Sequence, residues 1–182
     1  MNKILAVVGQ AGSGKDTAAN YISKKYGFLH ISTADILREY IKENSLGDLS
    51  RQNMSRVIEE LRFKRGNDVL VKLATEGLKD KSVILSALRH PEESALIKKM
   101  GGIIIDTRAD QESRYRRNVQ RNREGDSIEL SEFKKLENRE NSGLGFDINK
   151  VESGSDFTIN NNGSYQDFYS QIDKAMESIL NS

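Results

Sequence analysis

The chain has 182 residues, of which 36% are hydrophobic and 30% charged, enough for one domain with a substantial core and a solvated surface. Its 28 lysines and arginines nearly cancel 27 aspartates and glutamates, and a net charge of +1 excludes coating nucleic acid by bulk charge while leaving room for a local basic patch. The lack of cysteine excludes disulfides, thiolate zinc sites, iron–sulfur clusters and cysteine nucleophiles; two histidines, His30 and His90, leave no multi-histidine metal site and speak against a serine–histidine triad.

No apolar run approaches the roughly 18 residues that span a bilayer. The apolar stretch Ile4 to Val8 is too short for a signal peptide. The expectation is a soluble, cytoplasmic protein without a membrane partner. One proline, Pro91, and no Pro/Gly/Ser-rich linker or internal repeat interrupt the sequence, so residues 1–182 read as a single domain.

Short apolar runs alternate with amphipathic stretches along the chain. Ile4 to Val8 is the first strand, followed by a helix from Thr17 to Tyr26 and a second strand at Phe28 to Ile31. Helices are expected over Ala34–Glu43, Ser50–Arg65 and Asp68–Lys79; the second of these sets Met54, Val57, Ile58 and Leu61 on one face. Strands at Val83–Leu85, Ile103–Ile105 and Phe157–Ile159 alternate with helices at Glu92–Met100, Gln111–Arg123 and Ser164–Leu180. The last helix aligns Phe168, Ile172, Ala175, Met176 and Ile179 for packing on the sheet. Continuous apolar strands separated by helices predict an α/β fold, a parallel sheet of about five strands, with ligands at the carboxyl ends.

Between the first strand and first helix lies Gly9-Gln10-Ala11-Gly12-Ser13-Gly14-Lys15-Asp16-Thr17. Glycines let the backbone turn its N–H groups toward a phosphate, the helix N-terminus adds positive charge, and Lys15 reaches the outer phosphates, as in the Walker A loop. Gly9, Ala11, Gly12, Ser13, Gly14, Lys15, Asp16 and Thr17 are the expected nucleotide-binding set, the plain alternative being a glycine-rich turn with an incidental lysine. Asp16 stands where serine or threonine is usual; among phosphates it faces outward or helps hold a hydrated magnesium ion, so Asp16 and Thr17 are the candidate metal residues. A GTPase is disfavoured, because no Asp-x-x-Gly occurs and Asn149-Lys150-Val151-Glu152 ends in glutamate.

Ser32-Thr33-Ala34-Asp35-Ile36-Leu37-Arg38-Glu39 follows the second strand. Together with the glycine loop, this stretch resembles the nucleoside-monophosphate kinases, adenylate kinase included; the Gly-Lys-Asp-Thr form also resembles phage-type deoxynucleotide kinases and animal-type phosphomevalonate kinases. Ser155 to Ser164 is similar to a segment near the end of dephospho-CoA kinases. In length and motif order the chain resembles archaeal kinases related to both groups.

The resemblance implies a three-layer P-loop NTPase fold with ATP and Mg2+ as cofactors, a helical acceptor-binding region over 32–80 and a small lid over 114–145. It implies that Asp35, Arg38 and Arg89 face the acceptor, Asp35 as general base toward a hydroxyl, or Arg38 and Arg89 as grips on a phosphate. The bland reading of Asp35 is a helix N-cap, with Ser32 or Thr33 the better cap. Arg89 otherwise reads as a surface-loop arginine. Ser86 occupies the position of the family aspartate that anchors magnesium through water, leaving Asp16, Asp35 or Asp106 to substitute.

Arg114, Arg116, Arg117, Arg121 and Arg123 fall within ten residues without an intervening lysine. Arginine's planar fork suits phosphate oxygens, and Arg114, Arg117 and Arg121 share a helix face. A solvated basic face or a nucleic-acid contact is the plainer reading. The resemblance makes them lid arginines, with Arg117 and Arg121 favoured as catalytic beside Lys15, Asp35 and Arg89. The expected function is ATP-dependent phosphoryl transfer to a small nucleotide-like acceptor by a monomer or homodimer. A nucleoside or deoxynucleoside monophosphate is favoured and dephospho-CoA comes next; the alternative is a nucleotide-binding switch or RNA-associated ATPase.

Overall fold

The computed structural model describes residues 2–78, 81–121, 129–142 and 147–181. Five strands, β1 (Ile4–Val8), β2 (Leu29–Ser32), β3 (Val83–Ser86), β4 (Ile103–Arg108) and β5 (Phe157–Asn160), form one parallel sheet in the order β2-β3-β1-β4-β5. The helices are α1 (Lys15–Tyr26), α2 (Thr33–Glu43), α3 (Arg51–Arg65), α4 (Val69–Thr75), α5 (Pro91–Lys99), α6 (Gln111–Arg121), α7 (Leu130–Ser142), α8 (Ile148–Ser153) and α9 (Tyr165–Asn181).

Strand alternation divides the core between the two faces of the sheet. Leu5, Val7, Ile84 and Ile105 pack with Ala18 and Ile22 of α1 and Ile172 and Met176 of α9. Ala6, Val8, Leu85 and Ile104 pack on the other face with Val71 of α4, Ile97 of α5 and Val151 of α8. The buried stripe of α9 is the one its sequence spacing sets out. A third cluster, with Leu37, Ile41, Val57, Ile58, Leu61 and Leu70, joins α2, α3 and α4 beside the sheet. Among the described residues, this cluster contains no strand residue and is built from helices alone.

Capping chemistry sets several boundaries. Pro91 opens α5, where a missing N–H costs least. His90 Nδ1 accepts from Glu92 N–H, and Glu93 reaches back to His90 N–H at 3.0 Å. The helix expected from Asp68 to Lys79 ends at Thr75, because Glu76 is extended and Gly77 takes φ 76°; Lys79 lies outside the described residues. The helix expected to reach Arg123 is described to Arg121, and Arg123 likewise lies outside. The polar stretch Gly125 to Gly145, read as a lid, contains α7 in its described part, while residues 125–128 and 143–145 lie outside.

Candidate active site

Because β1 is central, its carboxyl end is flanked by β3 on one side and β4 on the other, and the glycine loop leaves the sheet between them. Neighbouring elements tie the loop's carbonyls outward. Arg114 Nη1 reaches Ala11 O at 3.5 Å, Arg117 Nη1 donates to Gly12 O at 3.2 Å, and Asn161 Nδ2 donates to Ser13 O at 2.8 Å. A carbonyl and the following N–H point in opposite directions across a trans peptide. The N–H groups of Gly12 and Gly14 are therefore turned inward, beside the first turn of α1. No side chain caps that turn, whose N-cap is Gly14.

The glycines are sterically required. Gly12 (φ 78°) would put a Cβ 2.5 Å from Arg114 O, and Gly14 (φ 102°) would put one 2.2 Å from Asn161 Nδ2. Ser13 Oγ bonds Thr107 Oγ1 at 2.9 Å, and Thr107 donates to Val8 O at 3.1 Å. Lys15 is buried at the start of α1, Asp16 is exposed and Thr17 is half-buried. Ala11 and Gly9 complete the turn. These two N–H groups beside a buried lysine suit phosphate oxygens.

In the first turns of α2, Arg38 Nη1 bonds Asp35 Oδ1 at 2.5 Å, both side chains being well exposed. Ser32 is the N-cap of α2 but makes no side-chain cap, and the Thr33 hydroxyl instead donates to the carbonyls of Ser86 and Ala87. Ser32 thus takes the N-cap position, as expected, but without a side-chain cap bond, and the Ser86 and Ala87 carbonyls hold the Thr33 hydroxyl instead. Ala87 takes φ 66°, a left-handed conformation costly for a residue with a Cβ. Arg89 follows on this turn. Its N–H donates to Glu93 Oε2 at 2.7 Å and its carbonyl accepts from Asp147 N–H at 3.2 Å, so the turn is held from α5 and from the start of α8. Buried Glu93 also bonds Arg62 of α3; burial pushes its carboxyl upward against the Arg62 charge.

Ser86, fully buried, ends β3 where the resemblance expects a carboxylate. His30 Nε2 lies 2.9 Å from Ser86 Oγ, and His30 Nδ1 lies 3.0 Å from Asn20 Oδ1 of α1. Burial lowers the imidazole's pKa, against the fields of Asp16 and Asp35. Sequence reading gave His30 no role. Its partners are 10 and 56 positions away in the sequence; the packing of α1 against β2 brings Asn20 and the pairing of β2 with β3 brings Ser86.

On β4, Asp106 is wholly buried. Its Oδ2 accepts from Arg108 Nε at 2.5 Å, while Oδ1 has no partner among the described residues. Burial raises its pKa against the Arg108 contact. Glu152 of α8 is pushed up to about 7 by burial and then by the Asp106 charge, with Arg108, Arg114 and Lys15 opposing. The Asn149–Glu152 stretch lies on α8, and this brings Glu152 into the charged surroundings of Lys15.

The arginines separate by role. Buried Arg114 pairs with Glu137 of α7, joining α6 to α7, and its Nε donates to Ala109 O. Arg117 joins the loop to β5's exit, donating to Gly12 O and, at 2.6 Å, to Asn161 O. Arg121 is exposed at the end of α6. Asn161, Thr107 and Glu137 were not legible as site residues, since each acts through a backbone or ion-pair contact that no motif spacing encodes.

Among the described residues, no group of three or more histidine, aspartate and glutamate side chains could hold a metal ion alone. The half-buried Thr17 hydroxyl beside the N–H cradle fits an ion carried on nucleotide phosphates. No helix among the described residues is long and apolar enough to cross a membrane.

A family model described as an AAA domain matches residues 8–133. The chain is 32% identical over 178 residues to the UPF0200/UPF0201 protein of Archaeoglobus fulgidus, covering 93% of this chain and 54% of that protein. It is 30% identical over 184 residues to a UPF0200 protein of Methanocaldococcus jannaschii, covering 98% and 91%. Among solved structures, shikimate kinase from Bacteroides thetaiotaomicron gives a TM-score of 0.64 at 14% identity, covering 98% of each chain. Shikimate kinase from Aquifex aeolicus gives 0.62 at 18% identity, covering 98% of this chain and 99% of that one. The fold is that of the P-loop kinases.

Proposed function

The chain belongs to the UPF0200 family and carries an AAA domain, and from that premise we propose that it transfers the terminal phosphoryl group of ATP to a small nucleotide-like acceptor. A nucleoside or deoxynucleoside monophosphate is the favoured acceptor, with dephospho-CoA next. The observation that carries this reading is the glycine loop, whose carbonyls are tied outward by Arg114, Arg117 and Asn161 beside buried Lys15.

In this reading the inward N–H groups cradle the donor phosphates and Lys15 orients their outer oxygens. Magnesium, when bound with the nucleotide, supplies positive charge against those oxygens, with Thr17 and Asp16 as the residues that would hold it. Arg38 and Arg89 grip the acceptor, and Asp35 takes the proton if the acceptor is a hydroxyl. Arg117 keeps the loop in shape, while Arg121 approaches the transferring group as the lid region closes.

Phosphorus NMR of ATP and magnesium with a panel of monophosphates, dephospho-CoA and phosphomevalonate tests the proposal. The expected result is a new phosphoryl resonance with one acceptor. Asp35→Asn should leave transfer to a monophosphate largely intact but reduce transfer to a hydroxyl by about 10²-fold or more. Arg38→Ala and Arg89→Ala should raise the acceptor KM. Inorganic phosphate as the only product, stimulated by RNA and weakened by salt, would instead support the switch or RNA-associated ATPase.

A further inference from the structure

Arg89 lies on the turn between β3 and α5, and one carboxylate oxygen governs how its backbone sits. Glu93 Oε2 accepts from the N–H of Arg89 at 2.7 Å and from the N–H of His90 at 3.0 Å. These N–H groups belong to the two peptides that flank the Arg89 Cα. Each peptide unit is planar, so the angle between the two planes is set by φ and ψ of Arg89. Two bonds to the same oxygen therefore restrict both torsions, and with them the direction of the Arg89 Cα–Cβ bond. The turn is pinned on either side as well. Asp147 N–H donates to Arg89 O at 3.2 Å, and the Thr33 hydroxyl donates to Ala87 O at 3.0 Å.

Helix capping asks for less than this. A glutamate at the third helical position closes a capping box by taking the N-cap N–H, here that of His90. The bond to Arg89 N–H lies one residue further out and is the shorter of the two. Glu93 is also fully buried, which pushes its carboxyl pKa upward, whereas a capping box needs no burial. Its Oε1 meets Arg62 Nη2 of α3 at 3.4 Å, and the Arg62 side chain is 8% exposed.

A buried ion pair stabilises a fold little, if at all, compared with an apolar pair of similar volume. What this pair adds is a fixed place for the carboxylate that holds the Arg89 turn. Leu61, the neighbour of Arg62, is buried among α2, α3 and α4, so the pair ties that helical cluster to the turn. Asn67 Nδ2 also bonds Glu92 Oε1 at 2.9 Å, joining the end of α3 to α5 without involving the Arg89 N–H.

We propose that Glu93 and Arg62 are positioning residues for an Arg89 grip on the acceptor phosphate: Glu93 Oε2 sets the direction of the arginine, and Arg62 holds that carboxylate in place. Both roles rest on the acceptor reading proposed above, in which Arg89 grips a phosphate.

Calorimetric titration with each nucleoside and deoxynucleoside 5′-monophosphate tests this without requiring turnover. Two double variants remove the buried charges equally and differ in the oxygen that holds the turn. Arg62→Met with Glu93→Leu lacks it, while Arg62→Met with Glu93→Gln keeps an amide oxygen able to accept from both N–H groups. Neither double variant strands a charge, so both should fold, and thermal unfolding checks this. The first should bind the monophosphate about tenfold more weakly than wild type, and the second within about twofold of it. Adding Arg89→Ala to the first should weaken binding no further, because the lost oxygen acts through that arginine. Asn67→Ala, which cuts only the neighbouring tie, should bind as wild type does. Wild-type affinity in the first double variant would overturn the proposal, as would equal losses in both or a further loss on adding Arg89→Ala. The acceptor reading survives those outcomes if Arg89→Ala by itself weakens binding. No monophosphate binding to wild type, or unchanged binding in Arg89→Ala, would overturn the acceptor reading and the positioning roles with it.

Discussion

Ala87 holds φ 66° at the end of β3, where Thr33 grips its carbonyl and the turn leads directly to Arg89. A left-handed alanine costs about 1–2 kcal/mol, partly offset in a glycine variant by greater freedom of the unfolded chain. Ala87→Gly should therefore raise stability by about 0.5–1 kcal/mol, read as a higher urea midpoint at unchanged slope. A lower midpoint would mean that the Ala87 methyl contributes packing worth more than its strain. Glu152 gives a second residue-scale prediction. Its carboxyl is raised from 4.5 to about 7, so the folded state holds the proton more tightly than the unfolded chain. That contribution is full below about 4.5 and fades as pH rises toward 7. The wild-type urea midpoint should fall across that interval, and Glu152→Gln should flatten the fall; an unaltered slope in the variant would place its cause elsewhere. At this scale the phosphate loop was legible because its chemistry needs particular residues at fixed local spacing. The contacts of His30 with Asn20 and Ser86 were not, because the fold brings them together from three separate elements.

The α6–α7 pair shows how an element can escape a sequence reading. In α7, Leu-Ser-Glu-Phe-Lys-Lys-Leu-Glu presents few apolar residues, and its attachment to α6 is largely polar. Buried Glu137 pairs with Arg114 and accepts from Gln111 Nε2 at 3.0 Å, while Tyr115 and Phe133 meet with ring centroids 5.6 Å apart. Apolar periodicity, the main sign of a packed helix, rests here on three positions, Leu130, Phe133 and Leu136. Glu137→Leu would leave the Arg114 guanidinium buried without its carboxylate and should cost about 3–5 kcal/mol in chemical unfolding. Arg114→Leu with Glu137→Leu should recover part of that loss, because no charge is then stranded. If both variants matched wild type, the pair would not be holding α6 to α7. Arg114 also reaches the loop carbonyl of Ala11, so the same contact that joins the helices supports the nucleotide loop.

For the whole molecule, the parallel α/β class and five strands follow from short apolar runs alternating with amphipathic helices, and the sheet bears this out. The order of strands was less readable: the runs of β1, β3 and β4 are wholly apolar while those of the edge strands β2 and β5 carry His30 and Thr158, but nothing in the runs ranks the central three. Yet the order governs the site: β1 between β3 and β4 sets Ser86 and Asp106 on either side of one loop, facing opposite layers. The function proposed for this arrangement is transfer of a phosphoryl group to a small acceptor, with Lys15 at the donor. The most direct measurement is the rate of ADP release from ATP and magnesium, with and without each acceptor of the panel, in wild type and Lys15→Ala. The rate should rise strongly with one acceptor and fall by about 10²-fold or more in the variant. ADP release indifferent to every acceptor, or unchanged in Lys15→Ala, would contradict it.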